Sequence, residues 1–349
     1  CHSDDHFATG DMIAPPDLVA MYEAMGIPVP DYFPVLGGHE GAGIVEAVGP
    51  GVRSVQPGDH VGLSFIAACG TCRWCVSGMT YLCDNGALML SKEMVTDNTV
   101  RRHVGDEDLM AFAQLGTFAE YAVLAEESVI KLDDAIPLEA ASLVSCGVTT
   151  GWGSGTTGVG TLPGDAVVIV GTGGVGINAV QGARAAGANL VIAVDPVEFK
   201  RDSAKFFGAT DTCPSMLEAI PLVQELTRGV MADRVVLTPS VVTADMIAPA
   251  MALTRKGGTC VVTAMTPLSQ MTVPMSLTEF VNSAKTLKGT LYGQMNARAS
   301  MPMLLSMYQA GTLRLDELVT RRYRLDDIND AIAHLREGSN IRGVICFNP

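Results

Sequence analysis

Between Ala166 and Asp195 apolar and polar positions come in blocks. Val167-Val168-Ile169-Val170 is a short β-branched run, Gly171-x-Gly173-x-x-Gly176 follows, helix-forming Ala, Gln and Arg come next, and a second apolar run ends at Asp195. Blocks in that order predict strand, glycine turn, helix and strand. The pattern continues with a helix through Phe206, a strand near Thr210, a helix from Leu217 to Thr227 and a strand from Arg234 to Leu237. A helix from Ala244 to Leu253, an apolar run after Gly258 and a last strand within Thr286 to Gly293 complete it. Such alternation means a parallel sheet with helices on both faces, an α/β fold.

Elsewhere the spacing is shorter. Ile44, Val45, Val48, Val52, Val55 and Val61 lie among Gly and Pro between Gly41 and Gly62, which predicts short antiparallel strands with a turn at Pro57-Gly58-Asp59. Pro15 to Gly26 opens on proline, ends on glycine and carries apolar residues at 18, 19, 22 and 25, as a short amphipathic helix does. Asp84 to Leu115 is polar and reads as a long surface excursion, Gly116 to Leu124 returns to strand alternation, and Ile136 begins a helix. Met303 to Tyr308 and Ile328 to Leu335 are helical, and Ile341 to Phe347 is a strand expected to return to the first domain. A chain of 349 residues exceeds one ordinary core. Two domains are expected, a discontinuous one over 1–147 and 292–349, and an α/β one over 148–291.

The glycine turn carries the first chemistry. Gly171 permits a tight exit from the strand, Gly173 leaves room for a pyrophosphate against the backbone, and Gly176 lets the helix pack closely. An anion is favoured at the helix N-terminus, where N–H groups are unpaired. Asp195, 19 positions past Gly176, sits where an acid binds a ribose 2′-hydroxyl and repels a 2′-phosphate. NAD is therefore expected over NADP.

Composition narrows the partners. A formal charge of −14 argues against nucleic acid or an anionic membrane surface, and no apolar run is long enough to span a bilayer. Nine cysteines, most at ligand-like positions, suggest metal thiolates in a reducing cytoplasm. Cys69-x-x-Cys72-x-x-Cys75-x7-Cys83 offers four thiolates to a tetrahedral zinc and closes that site to substrate. A disulfide pair or a redox Cys-x-x-Cys would leave cysteines over. Cys213, Cys260 and Cys346 stand singly in apolar surroundings and read as buried, inert thiols. Cys1-His2-Ser3-Asp4-Asp5-His6 and Gly37-Gly38-His39-Glu40-Gly41 concentrate thiol, imidazole, hydroxyl and carboxylate, although neither is a zinc signature alone.

Taken together, these motifs resemble the zinc-dependent medium-chain alcohol dehydrogenases over nearly the whole chain. The resemblance rests on Cys1-His2-Ser3-Asp4, Gly38-His39-Glu40, the four-cysteine run, Cys146-Gly147, the glycine turn with Asp195, and Asn340-Ile341-Arg342-Gly343-Val344. Within the family the chain is similar to bacterial nicotinoprotein forms that use nitrosoaniline dyes as acceptors, through Asp195 to Arg201 and Thr254 to Cys260.

The resemblance implies a Rossmann doubly wound parallel sheet plus a mostly antiparallel GroES-like catalytic domain, with the active site in the cleft between them. It implies two zinc ions per chain and NAD. Cys1, His39 and Cys146 would bind a catalytic zinc, with Glu40 beside it and Asp4 orienting the His39 ring. Ser3 would accept the alcohol proton and pass it through the cofactor ribose to His6. His2 falls where the family contacts the pyrophosphate. Thr150, Gly174 and Val175 match cofactor-binding positions, Lys200 and Arg342 match those holding ribose and phosphates, and Phe65 and Phe112 match the apolar wall of the substrate cleft. A homodimer or homotetramer is implied, through pairing of the end strand with its twin. Family members carry strands before the Cys1 motif, so the catalytic domain is expected to be incomplete, and the 349-residue form less stable or less active than a longer parent. The segment from Ala14 to Asp31 is either a lid or a surface insertion.

The expected activity is transfer of hydride between a primary or secondary alcohol and NAD. Alternatives are a nicotinoprotein that keeps its NAD and uses an external acceptor, glutathione-linked formaldehyde oxidation, for which no thiol-adduct site is evident, and a non-catalytic NAD-binding protein of the same fold.

Overall fold

The structure, a computed structural model, describes residues 2–27, 29 and 31–347. It divides into two compact units, one of Cys1–Pro15, Thr150–Gln294 and Ala333–Arg342, the other of Pro16–Thr149, Met295–Ile332 and Gly343–Pro349. The sequence reading puts residues 1–15 and 333–342 in the other domain. The Leu268 N–H donates to the Asp11 carbonyl at 3.0 Å and ties 1–15 to the rest of the first unit. Arg336 grips the buried Asp5 carboxylate with two nitrogens, at 2.6 to 3.1 Å, and the Arg342 Cδ lies 2.5 Å from where a Cβ on Gly174 would be.

The first unit is built on six parallel strands: β1 (Ala166–Val170), β2 (Leu190–Val194), β3 (Asp211–Cys213), β4 (Ala232–Leu237), β5 (Thr254–Val262) and β6 (Thr286–Gly289). Their order across the sheet is β3-β2-β1-β4-β5-β6, the doubly wound order in which a crevice opens where the winding reverses. Val167, Val168 and Ile169 of β1 are buried on both faces, so the run shows no alternation. Helix α1 (Gly176–Ala185) follows β1 and buries Ile177, Ala179, Val180 and Ala183.

In the second unit Ala42–Ile44, His60–Leu63 and Val129–Lys131 form an antiparallel sheet, with Gly62 between Ala42 and Ile130. Val61, Leu63, Leu115 and Val129 pack into a core with Val45, Val55, Phe65 and Leu124. Val35–Leu36 runs parallel to Met110–Ala111, and Val319–Tyr323 neighbours Arg342–Ile345.

Several expected elements differ. Residues 117–125 form no strand. The N–H groups of Thr117 and Phe118 turn to the carbonyls of Gly38 and Gly37, and Tyr121 is 76% exposed, so the alternation has no sheet to join. The stretch from Asp84 to Leu115 is not all surface, because Met94, Met110, Phe112 and Leu115 are buried. The helix Pro16–Ala24 buries only Leu18, less than an amphipathic face would. Cys213 and Cys260 are buried as expected, whereas Cys346 is half-buried. No helix among the described residues is long and apolar enough to cross a membrane.

Candidate active site

Four sulfurs gather first. The Sγ atoms of Cys69, Cys72, Cys75 and Cys83 all lie within 4.8 Å of one another. Cys72 and Cys83 are 3.9 Å apart, close to the edge of about 3.8 Å that four Zn–S bonds of about 2.3 Å would make. Backbone N–H groups of Cys72 and Cys69 point at the sulfurs of Cys69 and Cys83, both at 3.3 Å, as they would toward thiolates. Donors on Thr71 pull the Cys69 thiol down to about 6, while burial pushes Cys75 up to about 12. The donor set and its spacing fit a structural zinc.

A second cluster belongs to the unit of residues 16–149. Gly38 has φ +95°, and a Cβ there would lie 2.5 Å from the Phe118 nitrogen, so only glycine leads the chain into His39. The following turn is tied to the 145–147 segment by long-range hydrogen bonds. Gly147 N–H donates to Glu40 Oε1 at 2.6 Å and Gly41 N–H to Ser145 Oγ at 3.1 Å, while the Thr117 hydroxyl donates to the Glu40 carbonyl at 2.6 Å. As a result one ligand atom each of His39, Glu40 and Cys146 falls within 4.8 Å of the other two, and His39 and Cys146 are buried. Imidazole, thiol and carboxylate are a donor set that zinc accepts. Cys1, the remaining expected ligand, lies outside the described residues. Phe112 and Phe65 stand against the His39 ring, with centroids at 5.1 and 6.2 Å.

The glycine turn separates the roles of its three glycines. Gly171 has φ +83°, and a Cβ on Gly176 would sit 1.8 Å from the Gly171 carbonyl oxygen, whereas one on Gly173 would meet nothing within 4 Å. Open space over Gly173 beside the N-terminus of α1 fits a phosphate. Asp195 is buried at the end of β2, and its two oxygens accept N–H bonds from Thr172 at 2.8 Å and Val197 at 2.9 Å. Thr150 is buried, its carbonyl accepting the Ser154 hydroxyl at 2.7 Å, and Val175 is the residue before α1. The Lys200 Nζ lies 3.2 Å from a Cβ built on Gly338. Burial is the first cause that pushes the His2 ring down to about 4.

Ser3 and Asp4 are half-buried. His6 is buried, with its Nδ1 2.8 Å from Asp11 Oδ2, an oxygen that also accepts the Thr9 hydroxyl at 2.6 Å. Those two donors, Thr9 first, hold the Asp11 carboxyl below its usual range.

Sequence reasoning misses four supporting residues. Thr172 orients Asp195 through its backbone, and the buried Thr238 donates its hydroxyl to the carbonyls of Val170 and Gly171. Arg102 and Gln114 are buried polar groups that lock the turn after Phe112. Threonine is common at strand ends, and nothing in Val100-Arg101-Arg102-His103 separates the buried arginine from its exposed neighbour.

Comparison with known proteins gives a consistent set. The family model described as "Alcohol dehydrogenase GroES-like domain" matches residues 1–134, and that described as "Zinc-binding dehydrogenase" matches 174–310. The chain is 47% identical over 345 residues to an NDMA-dependent alcohol dehydrogenase of Amycolatopsis methanolica, covering 99% of this chain and 88% of the relative. Among solved structures, an alcohol dehydrogenase zinc-binding domain protein from Burkholderia ambifaria superposes with TM-score 0.83 at 28% identity, covering 96% of this chain and 89% of that one. A benzyl alcohol dehydrogenase from Acinetobacter calcoaceticus gives TM-score 0.79 at 27% identity, over 94% and 88% of the two chains.

Proposed function

Because this chain belongs to the zinc-dependent medium-chain alcohol dehydrogenases, we propose that it oxidises a primary or secondary alcohol with NAD. A hydride leaves the carbinol carbon for the nicotinamide, a proton leaves the hydroxyl, and an aldehyde or ketone remains. The observation that carries the location is the convergence of His39, Glu40 and Cys146 in one buried cluster. His39 and Cys146 with Cys1 would hold the catalytic zinc, and the four-cysteine cluster the structural one. When bound, the catalytic ion supplies a Lewis acid that lowers the pKa of an alcohol oxygen.

The chain's own residues do the rest. Phe65 and Phe112 keep water from the His39 side of the site and form an apolar wall for the alcohol carbon chain. Ser3 takes the hydroxyl proton, and His6, held by Asp11, delivers it to solvent. Glu40 balances charge beside the metal ligands, and Asp4 orients an imidazole ligand. Asp195, already fixed by two backbone N–H groups, accepts the ribose hydroxyls and disfavours a 2′-phosphate. Gly173 leaves room for the pyrophosphate, which Lys200, Arg342 and His2 contact. In domain terms, 1–147 with 292–349 would serve catalysis and 148–291 the cofactor.

A second reading is favoured by the relative named for its dependence on NDMA. In that reading NAD stays bound through turnover and an external acceptor reoxidises it. Assaying an alcohol panel by NADH absorbance, with and without a nitrosoaniline dye, tests both. Turnover with free NAD alone supports the first reading, dye-dependent turnover with NAD released only on heat denaturation supports the second, and no turnover in either assay refutes both.

Two further proposals concern the molecule as a whole. β6 is the last strand of its sheet, and nearby Leu277 and Val281 are 70% and 71% exposed, which supports a homodimer or homotetramer formed along that edge. No disulfide joins the described cysteines, which supports a reducing compartment, the cytoplasm.

A further inference from the structure

Phe112 opens a strained turn. Ala113 and Gln114 both hold left-handed backbone conformations, φ 57° and 62°, which side chains with a Cβ avoid. Gly116 follows at φ +63°, where a Cβ would lie 2.8 Å from Leu36. Such a turn persists only if its surroundings over-determine it.

Two buried polar side chains do so. Gln114 is 2% exposed, and its Nε2 lies 3.0, 2.9 and 2.9 Å from the carbonyl oxygens of Leu88, Ser91 and Glu93. Arg102, 9% exposed, donates from Nη2 to the carbonyls of Gln114 at 2.9 Å and Val123 at 2.7 Å. Among the described residues no carboxylate pairs with Arg102, and its Nη1 has no hydrogen-bond partner. Burying a guanidinium without a counter-charge is expensive, and an apolar side chain would fill the volume at less cost. The fork is spent on two carbonyls, one of them two residues from Phe112.

We propose that Arg102 and Gln114 are positioning residues that lock the turn over 112–116, hold the Phe112 ring against His39, and thereby set the size of alcohol the site accepts. The proposal rests on the reading of Phe112 as substrate wall. It differs from a plain folding role in one respect: releasing the turn changes which alcohol fits, not how fast a small one reacts.

The test uses the full chain with ethanol, 1-butanol and benzyl alcohol, followed by NADH or by dye bleaching. Phe112→Ala is expected to change the kcat/KM ratio of benzyl alcohol to ethanol about fivefold or more, and Arg102→Met to change it in the same direction, mainly through KM, with kcat on ethanol within about twofold. Since Arg102 acts through Phe112, adding Arg102→Met to Phe112→Ala should move the ratio by less than about twofold. Gln114→Asn tolerates the left-handed backbone but is too short for the three carbonyls, and it carries the same test should Arg102→Met fail to fold. A uniform fall in kcat for all alcohols, or additive effects with Phe112→Ala, overturns the proposal and leaves the wall intact. An unmoved ratio in Phe112→Ala overturns the wall reading and the proposal with it.

Discussion

Gly173 and Gly176 are three positions apart, yet an added methyl would do opposite things. At Gly176 it would meet the Gly171 carbonyl at 1.8 Å, so Gly176→Ala should destabilise the fold at or beyond the top of the usual overpacking cost of about 1–3 kcal/mol. At Gly173 it meets nothing, so Gly173→Ala should melt like the wild type and bind NAD about tenfold more weakly, because the methyl fills the space a phosphate uses. Melting curves and NAD titration of the two variants check this, and equal loss of stability in both would contradict it. Asp59 offers a pH-dependent case. Its carboxylate accepts from Lys131 Nζ at 2.6 Å and from Gln56 N–H at 2.9 Å, and those bonds, Lys131 first, hold its pKa down. A pKa lowered on folding gives stability above the unfolded value that is lost as pH falls through the folded one. Asp59→Asn should therefore melt below the wild type at pH 7, with the gap closing below about pH 4, and a pH-independent gap would count against it. The glycine turn and the buried Asp195 beside it were readable because the backbone geometry that joins them is set by residues close in sequence. Arg102 was not, because Arg101 beside it pairs with Asp97 on the surface, and burial of one rather than the other depends on carbonyls at 114 and 123.

Among the elements, the four-cysteine lobe has little regular structure, a single turn over Arg73–Val76 and short 3₁₀ segments over 80–88. Metal binding should supply much of its folding free energy. Cys83→Ser is expected to lose one zinc per chain and to lower Tm by about 5 °C or more, with the second zinc retained. An unchanged Tm at full zinc content would show that the lobe stands by itself. Strands β1, β2 and β4 could be read from sequence because fully buried parallel strands are continuous apolar runs bounded by turns. The strand expected over 116–124 could not be judged the same way: alternation is necessary for a half-buried strand, but pairing depends on a neighbour, and here Gly37 and Gly38 take only two of its N–H groups. Likewise the buried end of the 84–115 segment is set by Gln114 reaching three carbonyls more than twenty residues back, which no local periodicity records.

For the whole molecule, residues 1–15 fall in the unit that holds the parallel sheet, where the Asp11 carbonyl accepts the Leu268 N–H and Asp5 meets Arg336, 331 positions away, pairings invisible to any reading by stretches. The cluster of His39 and Cys146 was legible only as separate fragments, each ordinary alone, and their convergence follows from the bonds that join 40 to 147 and 41 to 145. We propose that this convergence holds a catalytic zinc distinct from the structural one. Zinc per chain, measured on purified wild type and Cys146→Ser alongside alcohol turnover, tests it most directly. Two ions should fall to one, with turnover down about a thousandfold and NAD binding and Tm nearly unchanged. Two ions and undiminished turnover in Cys146→Ser would contradict it.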